Sequence, residues 1–357
     1  MKNFSKLGSG QILKQLLKDP DRKPLLKIAL ELVYLSFVFR TLPKYYFSRF
    51  LFKKDRTNIR DYYPGKLLYG IKPHFNENGA TDVLENKLYF DFFYRPFNIN
   101  LPKILMYNHR DVFVVNNMTH HIHTPSEFRA LLQEVFNANK MNDSIFIKRT
   151  YGTYGGAKIY KLLSGQLGSD SPWINDLFQE VIQSGYLFQE TVKQHAEMNR
   201  LNSSCLNTLR LATFINPDGQ IEMINGYLRT SVTNNYVDNI TAGGCAISID
   251  LTTGRLDEFG YMSLKDGGIR MPTEHPFTHT IFSEYTIPYF EQAKQMVIEV
   301  AGYQPGLRLI GWDVAIGESG PVLIEGNSDF DVAGMDKMMK GVRSNPVFRK
   351  VLKEVNL

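Results

Sequence analysis

The segment from residue 311 to residue 331 constrains the fold of this chain more than any other. It reads GWDVAIGESGPVLIEGNSDFD, with one apolar run before a turn at Glu318–Pro321 and another after it. This pattern predicts a β-hairpin. In such a hairpin Asp313 and Glu325 lie side by side across the two strands. Glu325 and Asn327 are two residues apart, so they point to the same face of their strand.

The polar end of this hairpin is a candidate metal site. Carboxylate and amide oxygens with no nearby cysteine suit Mg²⁺, which proteins usually hold through a few oxygens together with substrate phosphates. Asp313, Glu325 and Asn327 are therefore candidate metal ligands. The alternative is a hairpin whose polar end is simply solvated.

Length and composition indicate a globular protein with two or three lobes. The chain has 357 residues, of which 43% are hydrophobic and 22% charged, as is usual for soluble proteins. The net charge of +5 suits a phosphate-bearing ligand or an anionic membrane surface without selecting either. No dense basic run with interleaved aromatic residues occurs in the body of the chain, so we expect no nucleic-acid partner.

The cysteines and the N-terminus indicate the cellular compartment in which we expect the protein. Cys205 and Cys245 form neither a metal-ligand spacing nor a disulfide framework, which favours a reducing cytoplasm. The N-terminus lacks the architecture of a signal peptide. The apolar stretch at 25–39 contains Lys27 and Glu31 and is too short to span a bilayer.

The order of predicted elements indicates an α+β fold with four parts. Residues 1–60 form a helical leader rich in basic and aromatic residues, 61–143 an α/β lobe, 144–200 a small lobe, and 201–357 a larger, strand-rich lobe. Within the second part, Ser126 is the predicted cap of a helix at 126–139. The leader has two interpretations, a membrane interface or a helix packed on the body with a solvated basic edge.

A glycine-rich turn follows a predicted strand that ends at Lys148. The turn reads RTYGTYGGA and contains Gly152, Gly155 and Gly156. Glycines let backbone N–H groups approach phosphate oxygens, and a lysine at a strand end can hold a phosphate. The turn lacks the GK[ST] ending of a Walker A loop. An ordinary hairpin turn is the alternative.

Further downstream, the strand LFQETV continues into a linker that is suited to an adenine ring. Its backbone offers N–H and C=O groups, and Glu190 is placed to accept from the exocyclic amine. Glu197 and His195 are candidates for the ribose hydroxyls. The alternatives are an exposed strand end for Glu190 and a solvated surface histidine for His195.

Other polar residues are candidates for charge stabilisation. Arg210 lies inside an apolar strand, where a cation suits a phosphate or an acyl-phosphate, although a buried structural ion pair is the alternative. His275 lies in a proline-containing loop and is a candidate for contact with phosphate or substrate, with Lys265 and Arg270 as weaker candidates on that loop. The cluster His120, His121 and His123 lacks a completing histidine or cysteine, so we interpret it as a solvated loop.

Taken in this order, the motifs resemble an ATP-grasp domain. The motifs GWDVAI…GPVLIEGNS and SxxNTLRLATF resemble the sugar-transfer-associated ATP-grasp family in particular. The resemblance extends over roughly residues 100–335. The resemblance implies the ATP-grasp fold, ATP and Mg²⁺ as cofactors, and a set of site residues. By this implication the phosphates of ATP are bound by Lys148 and the Gly155–Gly156 loop, adenine is bordered by Glu190 and Val192, and ribose is contacted by Glu197. By the same implication Mg²⁺ is held by Asp313, Glu325 and Asn327, and the cation of the transition state is Arg210.

One departure from the family pattern concerns the tetrahedral adduct. Many ATP-grasp ligases carry an arginine two residues before the metal-binding aspartate, where this chain has Gly311. Arg308 is close in sequence but cannot be assumed to replace it. Arg210 and His275 are therefore the candidates for this role.

The resemblance implies an ATP-dependent carboxylate ligase that works through an acyl-phosphate on small-molecule carboxylate and nucleophile substrates. We expect it in the cytoplasm, near the inner membrane, acting on precursors of surface polysaccharide or related metabolites. Two alternatives stay open. One is a small-molecule kinase on the same fold. The other is a non-catalytic nucleotide-binding protein that contacts a membrane or a glycosyltransferase assembly through residues 1–60.

Overall fold

A computed structural model of the chain describes residues 17, 19–139, 143–153, 157–168, 171–232, 244–263 and 269–357. The N-terminal third of this part is helical. Its helices are α1 (Leu25–Phe39), α2 (Tyr45–Ser48), α3 (Gly65–Gly70), α4 (Asn78–Glu85) and α5 (Lys87–Tyr94).

A six-stranded sheet follows. Its strands are β1 (Ile104–His109), β2 (Val112–Val115), β3 (Met118–His121), β4 (Ser144–Arg149), β5 (Ile159–Leu163) and β6 (Gly185–Glu190). Their order is β3-β2-β1-β6-β4-β5, and the neighbours pair antiparallel. Helices α6 (Pro125–Ala138) and α7 (Pro172–Val181) supply apolar residues to the core of this lobe, in which Phe128 and Phe178 pack together.

The second sheet has seven strands. They are β7 (Thr208–Ile215), β8 (Ile221–Ser231), β9 (Gly244–Ile249), β10 (Leu256–Ser263), β11 (Ile269–Arg270), β12 (Leu309–Gly317) and β13 (Gly320–Asn327). Their order is β11-β10-β9-β8-β7-β12-β13. The remaining helices are α8 (Ala196–Leu201), α9 (Phe290–Gly302), α10 (Val332–Met338) and α11 (Pro346–Glu354).

Both faces of the seven-stranded sheet are covered, which explains why its central strands read as nearly continuous apolar runs. Strands β7 and β12 are buried along their whole length. Leu211 of β7 belongs to the core that includes residues of α5 and α9, whereas its neighbour Ala212 belongs to the core that includes residues of α1, α10 and α11. Successive residues of a strand point to opposite faces, so each needs an apolar cover.

The leader is part of this second core. Tyr46 is fully buried, and Arg49 forms an ion pair of 2.6 Å with the buried Asp336 of α10. Arg49 also donates to the carbonyl oxygens of Tyr63 and Ala333. The leader is therefore packed on the body, and the aromatic residues at 45–52 lie mostly inside it.

Two sequence expectations differ from the structure. The predicted boundary near residue 143 falls within one sheet, because β1 from the second predicted part pairs with β6 from the third. The predicted cap Ser126 is wrong. Thr124 is the N-cap of α6 and forms a capping box with Glu127, because Pro125 occupies the first helical position, where its missing N–H costs nothing.

Candidate functional site

A cleft with a cavity of about 310 Å³ lies between residues of the two sheets. Its walls come from β4, β5 and β6 on one side and from β7, β8, β12 and β13 on the other. Five cations and four anions line it, namely Lys87, Lys148, Lys161, Arg210, Arg229, Glu85, Glu190, Asp313 and Glu325. This balance favours a ligand that carries negative charge.

The predicted hairpin is confirmed, and it forms the floor of the cleft. Asp313 of β12 is directly opposite Glu325 of β13, and Gly311 is opposite Asn327. The amide nitrogen of Asn327 is 3.4 Å from a carboxylate oxygen of Glu325, so these two side chains share a face as predicted.

Two arginines hold the buried carboxylate of Asp313. Arg210 lies directly opposite Asp313 on β7 and donates to both of its oxygens, at 3.1 Å from Nη2 to Oδ2. Arg229 of β8 donates to Oδ2 at 2.6 Å and to the hydroxyl of Thr208 at 2.7 Å. The two guanidinium groups are thus fixed side by side in the wall of the cleft.

The charge state of Asp313 follows from these contacts. Burial alone would raise the pKa of this carboxyl, but the attraction of Arg210 and Arg229 outweighs burial and lowers the pKa to about 2. Asp313 therefore stays ionised at any physiological pH.

The donor set fits a hard cation. A carboxylate has roughly four lone-pair positions, and the guanidinium bonds engage most of those of Asp313. Glu325 is less buried and has the ammonium of Lys87 at 3.9 Å. The amide of Asn327 presents its nitrogen to Glu325, and rotation of that amide by half a turn would present its oxygen instead. Glu325 and Asn327 are thus the more available oxygen donors, with Asp313 beside them.

Lys148 reaches the same cleft from the opposite sheet. Its ammonium donates to Oε1 of Gln189 at 3.1 Å. Burial has the largest effect and lowers its pKa, Glu325 opposes this effect, Lys87 adds to it, and the resulting pKa is about 8. A lysine desolvated in this way gains most from an anionic ligand, which would restore its charge.

The linker after β6 also borders the cleft. Glu190, Thr191 and Val192 line it, and Glu190 accepts from the backbone N–H of Lys103 at 2.9 Å. Further along, the backbone N–H of His195 donates to the carbonyl of Ile316. The linker is therefore fixed to the start of the hairpin turn.

The structure does not place Glu197 in the wall of the cleft. Its carboxylate pairs with Arg200 on the exposed side of α8, at 3.2 Å, and His195 caps this helix by accepting from the backbone N–H of Glu197. The wall contains Gln194 and Asn199 at this point instead.

His275 also lies apart from the residues that line the cleft. Its ring is buried, with Nε2 at 2.9 Å from the carbonyl oxygen of Ser231, and Nδ1 accepts from the backbone N–H groups of Phe277 and Thr278. Burial lowers the pKa of this ring, so it is neutral at pH 7. The contacts of the ring hold its own loop together, and the catalytic role of His275 stays a prediction.

Packing explains why position 311 holds a glycine and not the arginine expected two residues before Asp313. A Cβ atom at Gly311 would lie 2.8 Å from the ring of Phe330, so no larger side chain fits there without a shift. Arg308 pairs with Glu354 at 2.5 Å and lies over Phe75, outside the lining of the cleft. Arg210 and Arg229 are the arginines that reach Asp313.

Some predicted residues lie outside the described part of the chain. These are Gly155, Gly156 and Lys265, and the side chain of Arg270 is likewise not described. Thr153 and Ala157, which flank the gap at 154–156, line the cleft. The role of the glycine turn itself stays a prediction.

The histidine cluster has a partner that the sequence did not reveal. His121 and His123 have Nδ1 atoms at 3.5 and 3.9 Å from Oδ2 of Asp111. These three groups are close enough together to share a metal ion. Asp111 was missed because it immediately precedes β2, and only the pairing of β2 with β3 brings it to the histidines. Both rings are exposed, and none of the three residues lines the cleft.

The two-sheet architecture with its charged cleft is that of an ATP-grasp protein. The family model described as sugar-transfer associated ATP-grasp matches residues 174–351, and this segment of the chain resembles that family. The match includes β7, β8 and the β12–β13 hairpin and begins after Lys148. Among curated proteins, none matches the chain.

Solved structures with a similar course of the chain are distant in sequence. The chain is similar to D-alanyl-alanine synthetase A from Vibrio cholerae, with 14% identity and a TM-score of 0.48, over 79% of this chain and 68% of that one. It is also similar to the ATP-grasp ligase PsnB, with 14% identity and a TM-score of 0.41, over 78% of this chain and 64% of that one. For D-cycloserine synthetase DcsG the identity is 11% and the TM-score 0.43, over 76% and 70%.

Proposed function

We propose that this protein is an ATP-dependent carboxylate ligase that activates an acid as an acyl-phosphate and transfers the acyl group to an amine or thiol. The proposal rests on one observation: oxygen donors from one sheet and an ammonium group from the other sheet line the same cleft. Asp313, Glu325 and Asn327 form its floor, and the ammonium of Lys148 faces them from the other sheet.

ATP and Mg²⁺ are the proposed cofactors. When bound, Mg²⁺ neutralises charge on the β- and γ-phosphates, and Glu325, Asn327 and Asp313 are the residues that would hold it. Lys148 would hold phosphate oxygens, together with the turn at 152–156. Glu190 and Val192 would border the adenine ring, and Gln194 and Asn199 replace Glu197 as candidates for the ribose.

The arginine pair would act on the acid. A carboxylate oxygen of the substrate attacks the γ-phosphorus, the bond from this phosphorus to the β-phosphate oxygen breaks, and ADP leaves. The amine nitrogen then attacks the acyl carbon, phosphate leaves, and the amine loses its proton to solvent. Arg210 and Arg229 are oriented by Asp313, so they can stabilise charge on both the acyl-phosphate and the adduct without reorganising.

The substrates follow only from the family description. "Sugar-transfer associated" favours sugar acids, amino sugars or related precursors of surface polysaccharide as the first compounds to test. We propose a cytoplasmic location for this chemistry. Within the part of the chain that the structure describes, no helix is long and apolar enough to cross a membrane.

A screen for product release tests the proposal. The purified protein is incubated with ATP, Mg²⁺ and pairs of carboxylic acids and amines, and ADP and free phosphate are measured separately. A ligase gives equal amounts of ADP and phosphate, and only when both substrates are present. ADP without free phosphate from a sugar alone would indicate a kinase instead. Absence of stimulation by every acid, with ATP bound, would favour an accessory protein.

A further inference from the structure

Helix α1 has two apolar faces, and only one of them is covered. Ile28 and Leu35 point into the core shared with α10 and α11 and are buried. On the opposite face Leu26, Leu30, Val33 and Phe37 are 74%, 62%, 69% and 85% exposed. Their spacing of four, three and four residues places them in one continuous row along the helix. We call these four residues the α1 stripe.

An exposed row of this kind needs an explanation. Single exposed apolar residues are ordinary, whereas a contiguous patch marks a surface that meets an apolar partner. The α1 stripe extends over twelve residues, from Leu26 to Phe37, or about 16 Å along the axis. The helix itself is held firmly, because the buried Lys23 bonds both Glu31 and the carbonyl oxygen of Leu51.

The charges around the stripe are cationic. Lys27, Arg40 and Lys44 are exposed, and the guanidinium of Arg60 lies 5.7 Å from the ring of Tyr34, which adjoins the stripe. Glu31 is the only acidic residue of α1.

The side chain of Glu31 points toward the body of the protein, where its negative charge is neutralised. Its carboxylate accepts from Lys23 at 2.8 Å and from the hydroxyl of Tyr46 at 2.5 Å. The chain before α1 adds to the positive charge, since residues 1–24 contain six basic residues against the two acidic residues Asp19 and Asp21.

We propose that the α1 stripe lies in the surface of an anionic membrane, with α1 parallel to the bilayer plane. An apolar row bordered by cations is the pattern of an interfacial helix, in which apolar side chains enter the acyl boundary and Lys and Arg meet anionic headgroups. The aromatic residues Tyr45, Tyr46 and Phe50 of the leader are buried, so α1 supplies the apolar surface of the leader. The proposal is independent of the activity assigned to the cleft.

Co-sedimentation of the full-length protein with vesicles tests this proposal. One set of vesicles contains phosphatidylcholine and phosphatidylglycerol in equal amounts, and the other contains phosphatidylcholine alone. We expect the protein to sediment with the anionic vesicles and much less with the neutral ones. Added salt should weaken the binding, because the headgroup attraction is screened.

Matched variants locate the contact. The double variant Leu30→Glu/Phe37→Glu should lose at least about tenfold in partitioning, since it removes two inserted side chains. Met118→Glu is the control, because Met118 is 58% exposed on β3 in the other lobe and should leave binding unchanged. Lys27→Glu/Lys44→Glu should weaken binding to the anionic vesicles only. Phe37→Ser serves if the glutamate variant does not fold.

Several outcomes would overturn the proposal. One is that the wild-type protein stays in solution with anionic vesicles. Another is that the stripe variants bind as well as the wild type. Light scattering that shows a dimer, dissociated by Phe37→Glu, would assign the face to a second copy of the chain. If the protein binds vesicles only after residues 1–16 are removed, that segment covers the α1 stripe in the full-length protein.

Discussion

Arg210 and Asp313 face each other in register on adjacent buried strands, and the guanidinium spans both carboxylate oxygens. Arg229, one strand further, also donates to Oδ2 of Asp313. A buried aspartate between two arginines leaves net positive charge in the wall of the cleft. Arg210 therefore fits both interpretations drawn from the sequence. It forms a buried structural ion pair, and it is also a cation in the wall of the cleft.

The first prediction concerns Arg229. Arg229→Met should lower turnover by about 10²-fold or more, because a pre-oriented donor to developing charge is lost. ATP affinity should change little. Steady-state kinetics with separate ATP titrations checks this. Arg308→Met is the matched control, since Arg308 pairs with Glu354 away from the cleft, and an equal loss there would argue against a specific role for Arg229.

The second prediction concerns Lys148 and pH. Burial places its pKa at about 8 in the unliganded protein, so its charge is lost as the pH rises through 8. ATP affinity should therefore fall between pH 7 and 9, by up to about tenfold per pH unit above the pKa. Calorimetric titration of a non-hydrolysable ATP analogue measures it. A Lys148→Met protein should bind weakly with little change over this range, and an unaltered pH profile would contradict the assignment.

The same shift has a consequence for stability. Between pH 8 and the ordinary value of 10.5 the unfolded chain keeps the proton on Lys148 and the folded chain does not. The contribution of this group to the free energy of unfolding should therefore rise with pH across that window. At pH 7 Lys148→Met should unfold at a higher temperature than the wild type, in the absence of nucleotide. A lower unfolding temperature would show that the ammonium is not desolvated.

The third prediction concerns the packing of the leader. Arg49→Met leaves the carboxylate of Asp336 buried without its cation, at a cost of about 3–5 kcal/mol in the free energy of unfolding. Denaturant titration measures this loss. The variant Arg49→Met/Asp336→Leu should recover much of the stability, and additive losses in the two single variants would contradict the pairing.

The fourth prediction separates structure from catalysis at His275. His275→Ala should lower the unfolding temperature, because it removes the acceptor for the N–H groups of Phe277 and Thr278. Below that temperature turnover should stay within a few-fold of the wild type. A loss of about a hundredfold in a folded variant would restore His275 as a catalytic candidate.

The β12–β13 hairpin was predictable because its information is local. The two apolar runs, the short turn and the spacing of Asp313, Glu325 and Asn327 all lie within one segment. Arg229 and Lys87 were not predictable, since β8 has to lie beside β7, and α5 beside β13, before these cations reach the carboxylates. Neither side chain stands out in its own segment.

The positions of Glu197 and His275 outside the lining of the cleft were not predictable for a similar reason. The chemistry of these side chains is visible in the sequence, but their directions depend on α8 and on the loop after β11. The exposed face of α1 was not predictable for a different reason. A helix that is apolar all round looks like a buried one until the structure shows that only half of it is covered.

The central claim is that Glu325, Asn327 and Asp313 hold the cation that accompanies ATP. The most direct test is binding of the non-hydrolysable ATP analogue with and without Mg²⁺, in the wild type and in Glu325→Gln, whose shape is preserved. We predict that Mg²⁺ strongly tightens binding to the wild type and has little effect in the variant. Equal dependence on Mg²⁺ in both proteins would contradict the account.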